Sequence, residues 1–87
     1  MTKLASQAGW SLTHSVSSSG FQLVTVRNVD GDGSYAEFIF DTVNRIIVPG
    51  AKNDVAFFDL PLSVCQLIRF WFGTITYTEY TRALRNI

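Results

Sequence analysis

Residues 28–37, NVDGDGSYAE, contain the oxygen-bearing side chains with which a calcium-binding loop begins. Asn28, Asp30 and Asp32 stand at loop positions 1, 3 and 5, but position 12, where an EF-hand has a bidentate Glu, is Ile39. Asp-Gly between two alternating segments is also the standard signal of a hairpin turn, because both residues tolerate positive φ. The sequence therefore favours a hairpin here, and we predict no metal site.

A second candidate for chemistry is the single histidine, His14, together with the single cysteine, Cys65. These two residues would have to form any Cys-His nucleophilic pair. However, His14 continues an alternating strand pattern, in which a partly buried imidazole bonded to the backbone is ordinary. Cys65 falls within an apolar helical segment, and an unmodified Cys is among the most buried residue types. We therefore expect both side chains in the core, and one His and one Cys are too few for a zinc set unless carboxylates or a second chain contribute.

The remaining polar residues carry no recognisable catalytic signature. The carboxylates offer acid–base chemistry only if two of them meet in space, which their spacing does not specify. The chain has no serine-nucleophile elbow, phosphate-binding loop, dinucleotide-binding turn or zinc-protease helix. The sequence predicts a protein that is not an enzyme and has no cofactor.

Composition limits the environment and the partners. Hydrophobic residues make up 47% of the 87-residue chain, which predicts one folded domain over residues 1–87. Seven basic and seven acidic residues give zero net charge, so there is no long-range attraction toward nucleic acid or an anionic membrane. Polar residues interrupt the most apolar region, Val55–Phe72, so we predict no membrane span. A lone cysteine and the lack of a signal peptide indicate a cytoplasmic protein.

The first half of the chain has the period of β-strands. Residues 9–16 alternate apolar and polar side chains, and three further segments of strand character follow at 21–27, 35–41 and 45–50. Short connections favour antiparallel neighbours. We predict a four-stranded antiparallel meander within residues 9–49, with Pro49 and Gly50 ending the last strand.

The second half has the period of helices, within residues 59–87. Asp59 is predicted to cap the first helix, with Pro61 in its first turn, and Gly73 to end it. Thr76 and Glu79 form the T-x-x-E capping box of a second helix. Its staple is predicted between Ile75 and Tyr80, and its apolar face comprises Tyr77, Tyr80, Leu84 and Ile87. The predicted fold class is α+β: the meander followed by a C-terminal two-helix hairpin packed on one sheet face.

The pattern G-x-I-T-x-x-E-Y-x-x-x-L, from Gly73 to Leu84, resembles the helical hairpin of the SHOCT family, a short C-terminal module thought to mediate assembly. The resemblance covers about the last twenty residues. Every matching residue is also one that helix capping would select. The resemblance implies a role in assembly and carries over no catalytic residue.

The excess of large aromatic residues suggests how the protein acts. Residues 57–58 and 70–72 are all aromatic, and the first helix is apolar on nearly every side. These side chains form either the core or a surface that meets another chain. As partner-binding residues we predict Phe57, Phe58, Arg69, Phe70, Phe72, Tyr77, Arg82 and Arg85.

The function predicted from these features is that of a small non-enzymatic protein-binding module. Charge-neutral proteins of this size without motifs are frequent among accessory proteins of phages and mobile elements, such as anti-CRISPR inhibitors of host defence complexes. A homodimer is one predicted form. The alternatives are a nucleic-acid-binding module that uses Arg69, Arg82 and Arg85 beside Tyr77 and Tyr80, or a small structural subunit of a larger assembly.

Overall fold

The computed structural model describes residues 2–85, which form an α+β fold with one antiparallel sheet and two helices. In chain order the elements are β1 (Thr2–Gln7), β2 (Trp10–Val16), β3 (Gln22–Asn28), β4 (Tyr35–Asp41), β5 (Ile46–Asn53), a 3₁₀ turn (Phe57–Asp59), α1 (Leu62–Phe72) and α2 (Tyr77–Arg85). Each strand pairs with the next, so the meander has the order β1-β2-β3-β4-β5. The predicted class is confirmed, whereas the predicted number of four strands within 9–49 is wrong, because five strands extend over residues 2–53.

The additional strand, β1, is joined to β2 by a two-residue turn. Gln7 pairs with Trp10, so only Ala8 and Gly9 connect the strands, and both have positive φ, 51° and 81°. This is the backbone of a type I′ hairpin turn, which normally has Asn-Gly or Asp-Gly. Ala at the first position is not a recognised turn signal. The sequence therefore predicts the first strand only from residue 9 onward.

The last strand, β5, continues through the Pro-Gly pair that was predicted to end it. Phe38 pairs with Pro49 and Ala36 pairs with Asn53, so β5 bulges opposite Glu37. Because β5 is an edge strand, the missing N–H of Pro49 is tolerated. A Cβ on Gly50 would lie 2.8 Å from Cβ of Glu37, so this close approach requires glycine. The predicted strand end at Pro49 and Gly50 is wrong.

The sheet buries one face against α1. Its strands alternate between buried and more exposed residues, as expected for a sheet covered on one side. The core contains Leu12, Val24, Val26, Ala36 and Phe38 from the sheet and Val64, Ile68 and Phe72 from α1. The helix α1, whose apolar residues recur with helical period, therefore forms the second layer of the core.

The start of α1 differs from the sequence prediction. Pro61 occupies the N-cap position, Leu60 is extended with ψ 152°, and no side chain caps the helix. The residue before a proline disfavours helical angles, so a helix with Asp59 as its cap would place Leu60 in a conformation that Pro61 opposes. Asp59 instead ends the 3₁₀ turn. The predicted Asp59 cap is wrong.

The end of α1 and the start of α2 follow the prediction. Gly73 adopts a left-handed conformation with φ 82°. The Gly73 N–H donates to the Phe70 carbonyl (3.0 Å), and the Thr74 N–H donates to the Arg69 carbonyl (2.9 Å). These are the two bonds of a Schellman motif. The capping box is present: Thr76 N–H donates to Glu79 Oε1 (2.9 Å), and Glu79 N–H donates to Thr76 Oγ1 (3.1 Å).

The second helix, α2, packs mainly on α1. None of its described side chains is fully buried, although Tyr80 is half-buried against the core. Ile87, predicted for its apolar face, lies outside the described residues. Within residues 2–85, neither helix has the length and apolar character needed to cross a membrane.

Candidate functional site

The D-G-D-G stretch connects β3 to β4 as a hairpin loop, as predicted. The Asp32 carboxylate accepts hydrogen bonds from the hydroxyl and the backbone N–H of Ser34, and these bonds lower the pKa of Asp32. Gly33 N–H donates to the Asn28 carbonyl (3.1 Å), which closes the loop. Among residues 2–85 no group of three or more His, Cys, Asp or Glu side chains is placed to hold a metal ion.

His14 and Cys65 are both buried, as predicted, and each has its own partners. His14 Nε2 lies 2.9 Å from Gln22 Oε1, and the imidazole stacks on Trp71 at 5.6 Å between centroids. The partner of the imidazole is thus a side chain, whereas the sequence predicts a bond to the backbone. The Cys65 thiol donates to the Phe57 carbonyl (3.2 Å), and burial raises the pKa of Cys65. The thiol therefore remains protonated at neutral pH.

The predicted partner-binding aromatics are divided among core, helix interface and surface. Phe72 is a core residue, 3% exposed and stacked on Phe40, so its side chain is not available on the surface. Phe70 is half-buried between the helices, where its ring stacks on Tyr80 at 5.3 Å. Tyr77 lies beside Phe70 but remains 64% exposed. The aromatic excess therefore serves mainly the core and the contact between the helices.

Three of the predicted residues form one surface cluster, which we call the Phe58 surface: Phe57, Phe58 and Arg69. Phe57 is half-buried, with its ring edge-on to the core residue Phe38 at 5.3 Å. Phe58 packs edge-on against Phe57 at 5.5 Å and is 83% exposed. The Arg69 guanidinium lies over both rings, 5.2 Å from the centroid of Phe57 and 6.0 Å from that of Phe58.

The core holds the Phe58 surface in place. The 3₁₀ turn is closed by bonds from Asp59 N–H to the Ala56 carbonyl (3.0 Å) and from Leu60 N–H to the Phe57 carbonyl (3.2 Å). The buried Cys65 thiol binds the same Phe57 carbonyl. Since Leu60 and Cys65 are core residues, the exposed Phe58 ring projects from a rigid base.

Two hollows flank Phe58. One, of about 330 Å³, has two arginines in its wall, Arg45 and Arg69, with Ile46 and Thr74. The other, of about 550 Å³, is lined by Pro49, Asn53, Asp54, Val55, Ala56 and Asp59, among others. Phe57, Phe58 and Ile47 line both hollows. Arginines therefore line one hollow and aspartates line the other, and the two hollows share the Phe57–Phe58 pair.

Sequence reasoning missed the residues that complete this site. Arg45 and Ile46 lie at the start of β5, within the segment predicted as a strand, whereas Asp54 follows the part of β5 beyond the bulge, which the sequence does not predict. Arg45 adopts φ 56°, which a sequence pattern does not reveal for a non-glycine residue. The weak signal available was Pro49, which is typical of an edge strand.

The other two predicted arginines are not part of this cluster. Arg82 and Arg85 are exposed in the last turn of α2. No ring of the described residues lies under either guanidinium, whereas Arg45 and Arg69 each cover an aromatic ring. A basic C-terminal half with interleaved tyrosines is thus not organised as a stacked aromatic–arginine groove.

Comparison of the chain with protein-family models, with curated proteins and with solved structures finds no match. The geometry of the Phe58 surface and its two hollows therefore carries the functional assignment.

Proposed function

We propose that this protein is a small non-enzymatic binding module that docks another protein chain through the Phe58 surface. The observation that carries the proposal is the 83% exposure of Phe58 on a base fixed by the core. Exposed apolar area costs about 25 cal/mol per Å², a cost that burial in an interface removes. A Phe side chain has few rotatable bonds, so it loses less conformational entropy on binding than a long flexible side chain, which suits it to be an interface anchor.

The surroundings of Phe58 support a protein partner over a nucleic acid. Interfaces between proteins combine a buried aromatic or arginine anchor with apolar pockets and a polar rim. Phe58 and Arg69 supply the anchor, the two hollows supply pockets, and both charge signs occur at their rims. A phosphate backbone instead requires a surplus of positive charge along its path, and Asp54 and Asp59 oppose such a surplus here.

As the biological setting we propose a phage or mobile-element accessory protein that acts in the cytoplasm on a host defence complex, in the manner of anti-CRISPR inhibitors. Small size, zero net charge and a chain without catalytic motifs support this setting. The exposed anchor fits an inhibitor that acts by occupying a surface of its target.

The experiment compares two exposed apolar residues. Phe58→Ser removes the anchor, and Leu4→Ser is the matched control, because Leu4 is 77% exposed on β1 at the opposite edge of the sheet. Tagged wild-type and variant proteins are used to capture partners from a lysate of the native host, with quantification by mass spectrometry. We expect a partner retained by wild type and Leu4→Ser but lost by Phe58→Ser. A partner retained equally by all three proteins overturns the proposal.

A further inference from the structure

We infer that the Phe58 surface is self-complementary, so that a second copy of this chain seats on it with the Arg45/Arg69 hollow of one copy facing the Asp54/Asp59 rim of the other. The inference rests on the proposed function, since it requires that the Phe58 surface is an interface, and it adds the identity of a partner.

The charges around Phe58 are divided between the two hollows. Arg45 and Arg69 line one hollow, and Asp54 and Asp59 line the other. Phe58 lines both hollows. The surface therefore has a basic part and an acidic part that share the Phe58 ring.

A two-fold axis can bring the basic part of one copy against the acidic part of the other. An isologous interface uses the same patch on both copies, so that residue i meets residue j and residue j meets residue i. With the axis at Phe58, in the interface and perpendicular to the line joining the hollows, each basic hollow faces the acidic rim of the other copy. The two Phe58 rings then meet at the axis, and two equivalent sets of opposite charges flank them.

Both guanidiniums have donors available for this contact. The guanidinium carbon of Arg45 lies 5.6 Å from the centroid of the Phe40 ring, and that of Arg69 lies 5.2 Å from the centroid of Phe57. Each guanidinium carries five N–H donors. One N–H of Arg69 donates to Gln66 Oε1. Within residues 2–85 no carboxylate forms an ion pair with Arg45 or Arg69. A carboxylate of a second copy can therefore accept from either one.

The acidic side is equally accessible. Asp54 and Asp59 are exposed. One oxygen of Asp54, Oδ2, accepts from Tyr35 N–H at 2.9 Å, which orients the carboxylate and leaves the other oxygen open. A homodimer formed this way needs no net charge on the chain, in agreement with its seven basic and seven acidic residues.

The test is a charge exchange between two exposed residues, Arg45→Glu and Asp59→Lys. In the isologous arrangement each variant alone sets like charges against each other twice, so we expect at least a tenfold weaker dimer than wild type. Mixing the two variants restores opposite charges at both contacts, so a heterodimer forms at concentrations where each variant alone is monomeric. Sedimentation velocity with one variant fluorescently labelled measures both effects, and raising the salt concentration weakens the heterodimer.

Further variants distinguish loss of the contact between copies from damage to the fold. Arg45→Gly removes the guanidinium at a position where φ is 56°, a conformation that glycine adopts without strain, so a weaker dimer in this variant does not arise from a damaged turn. Urea unfolding confirms that every variant is folded. Phe58→Ser is expected to abolish the dimer, and Leu4→Ser to leave it unchanged.

The outcomes separate this inference from the proposed function. A wild-type protein that is monomeric up to about 1 mM (a Kd weaker than this corresponds to very weak binding), or a mixture of variants that fails to associate, overturns the self-complementary surface. If binding of a captured heterologous partner still depends on Phe58, the proposed function stands without the self-complementary surface. A dimer that Phe58→Ser leaves intact overturns the self-complementary surface, and the capture experiment alone then decides the proposed function.

Discussion

The guanidinium of Arg69 lies over the ring of Phe57 at 5.2 Å from its centroid, and this contact joins α1 to the 3₁₀ turn that presents Phe58. Arg69 is one turn before the C-terminus of α1, and its backbone carbonyl accepts the Thr74 N–H of the Schellman motif. One residue thus contributes to ending the helix through its backbone and to holding the exposed aromatic pair through its side chain.

Replacing Arg69 with Ala is expected to lower the free energy of unfolding by about 1 kcal/mol, through loss of the cation–π contact and of the packing of its aliphatic stem. Arg69→Lys should retain part of this contribution, because its ammonium can occupy the ring face but lacks the planar guanidinium. Urea unfolding gives the values. Arg82→Ala, on the exposed side of α2, is the control and should change stability by less than about 0.5 kcal/mol. Equal unfolding free energies for Arg69→Ala and wild type would show that the contact contributes nothing.

The parts of the fold that the sequence predicts are those determined by neighbouring residues. Gly73 and the Thr76–Glu79 capping box each depend on interactions over a few positions, and the structure has them where predicted. Alternation likewise locates β2, β3 and β4, because each strand has one buried face.

The parts that were missed depend on distant residues or on unusual backbone angles. The continuation of β5 requires Gly50 to pack against Glu37, thirteen positions earlier, a contact that no local pattern contains. The turn before β2 requires positive φ at Ala8. Phe58 and Arg69 are site residues that the sequence predicts, but the position of Asp54 beside Phe58 depends on that same continuation of β5.

Removal of the cap of α2 should weaken the helix measurably. Thr76→Ala deletes the Oγ1 that accepts from Glu79 N–H at 3.1 Å, and loss of such an N-cap costs about 1 kcal/mol. Urea unfolding followed by circular dichroism measures the change, with Thr78→Ala as a control on the same helix. A Thr76→Ala protein as stable as wild type would show that the capping box does not contribute.

Acid should remove the contribution of Glu79 to the same cap. The hydrogen bonds from Thr76, chiefly that from its backbone N–H, hold the pKa of Glu79 below its usual range. Because the folded-state pKa is lower than the unfolded one, the stabilisation is present above the unfolded-state pKa and is lost as pH falls through the folded-state pKa. Glu79→Gln keeps an acceptor but has no charge. Its urea midpoint should be below that of wild type at neutral pH, and the two midpoints should converge in acid. A difference independent of pH would contradict the assignment.

The turn between β1 and β2 offers a stabilising substitution. Ala8 has φ 51°, a left-handed conformation that costs an L-residue with a Cβ about 1 kcal/mol and that Asn tolerates better. Ala8→Asn creates the Asn-Gly pair preferred in type I′ turns and should raise the free energy of unfolding by about 0.5 kcal/mol. Ala8→Val, which is β-branched, should lower it. Thermal and urea unfolding of both variants test the prediction, which is wrong if Asn and Val have the same effect.

We expect Phe57 to contribute mainly to stability and the adjacent Phe58 to contribute mainly to binding. Phe57 is half-buried with its ring against Phe38 at 5.3 Å, so Phe57→Ala removes packing from the edge of the core and should cost about 2 kcal/mol, less than the usual loss for a fully buried Phe. Phe58 is 83% exposed, so Phe58→Ala should change the free energy of unfolding by less than about 0.5 kcal/mol.

The same two variants should have opposite effects on association. Phe58→Ala remains folded and should lose binding to whatever chain occupies the Phe58 surface, whereas Phe57→Ala, compared at equal concentrations of folded protein, should retain more of it. Urea unfolding and sedimentation velocity on the same samples measure both properties. If Phe58→Ala unfolds as readily as Phe57→Ala, the Phe58 ring contributes to the core, and the exposed anchor on which the interface depends does not exist.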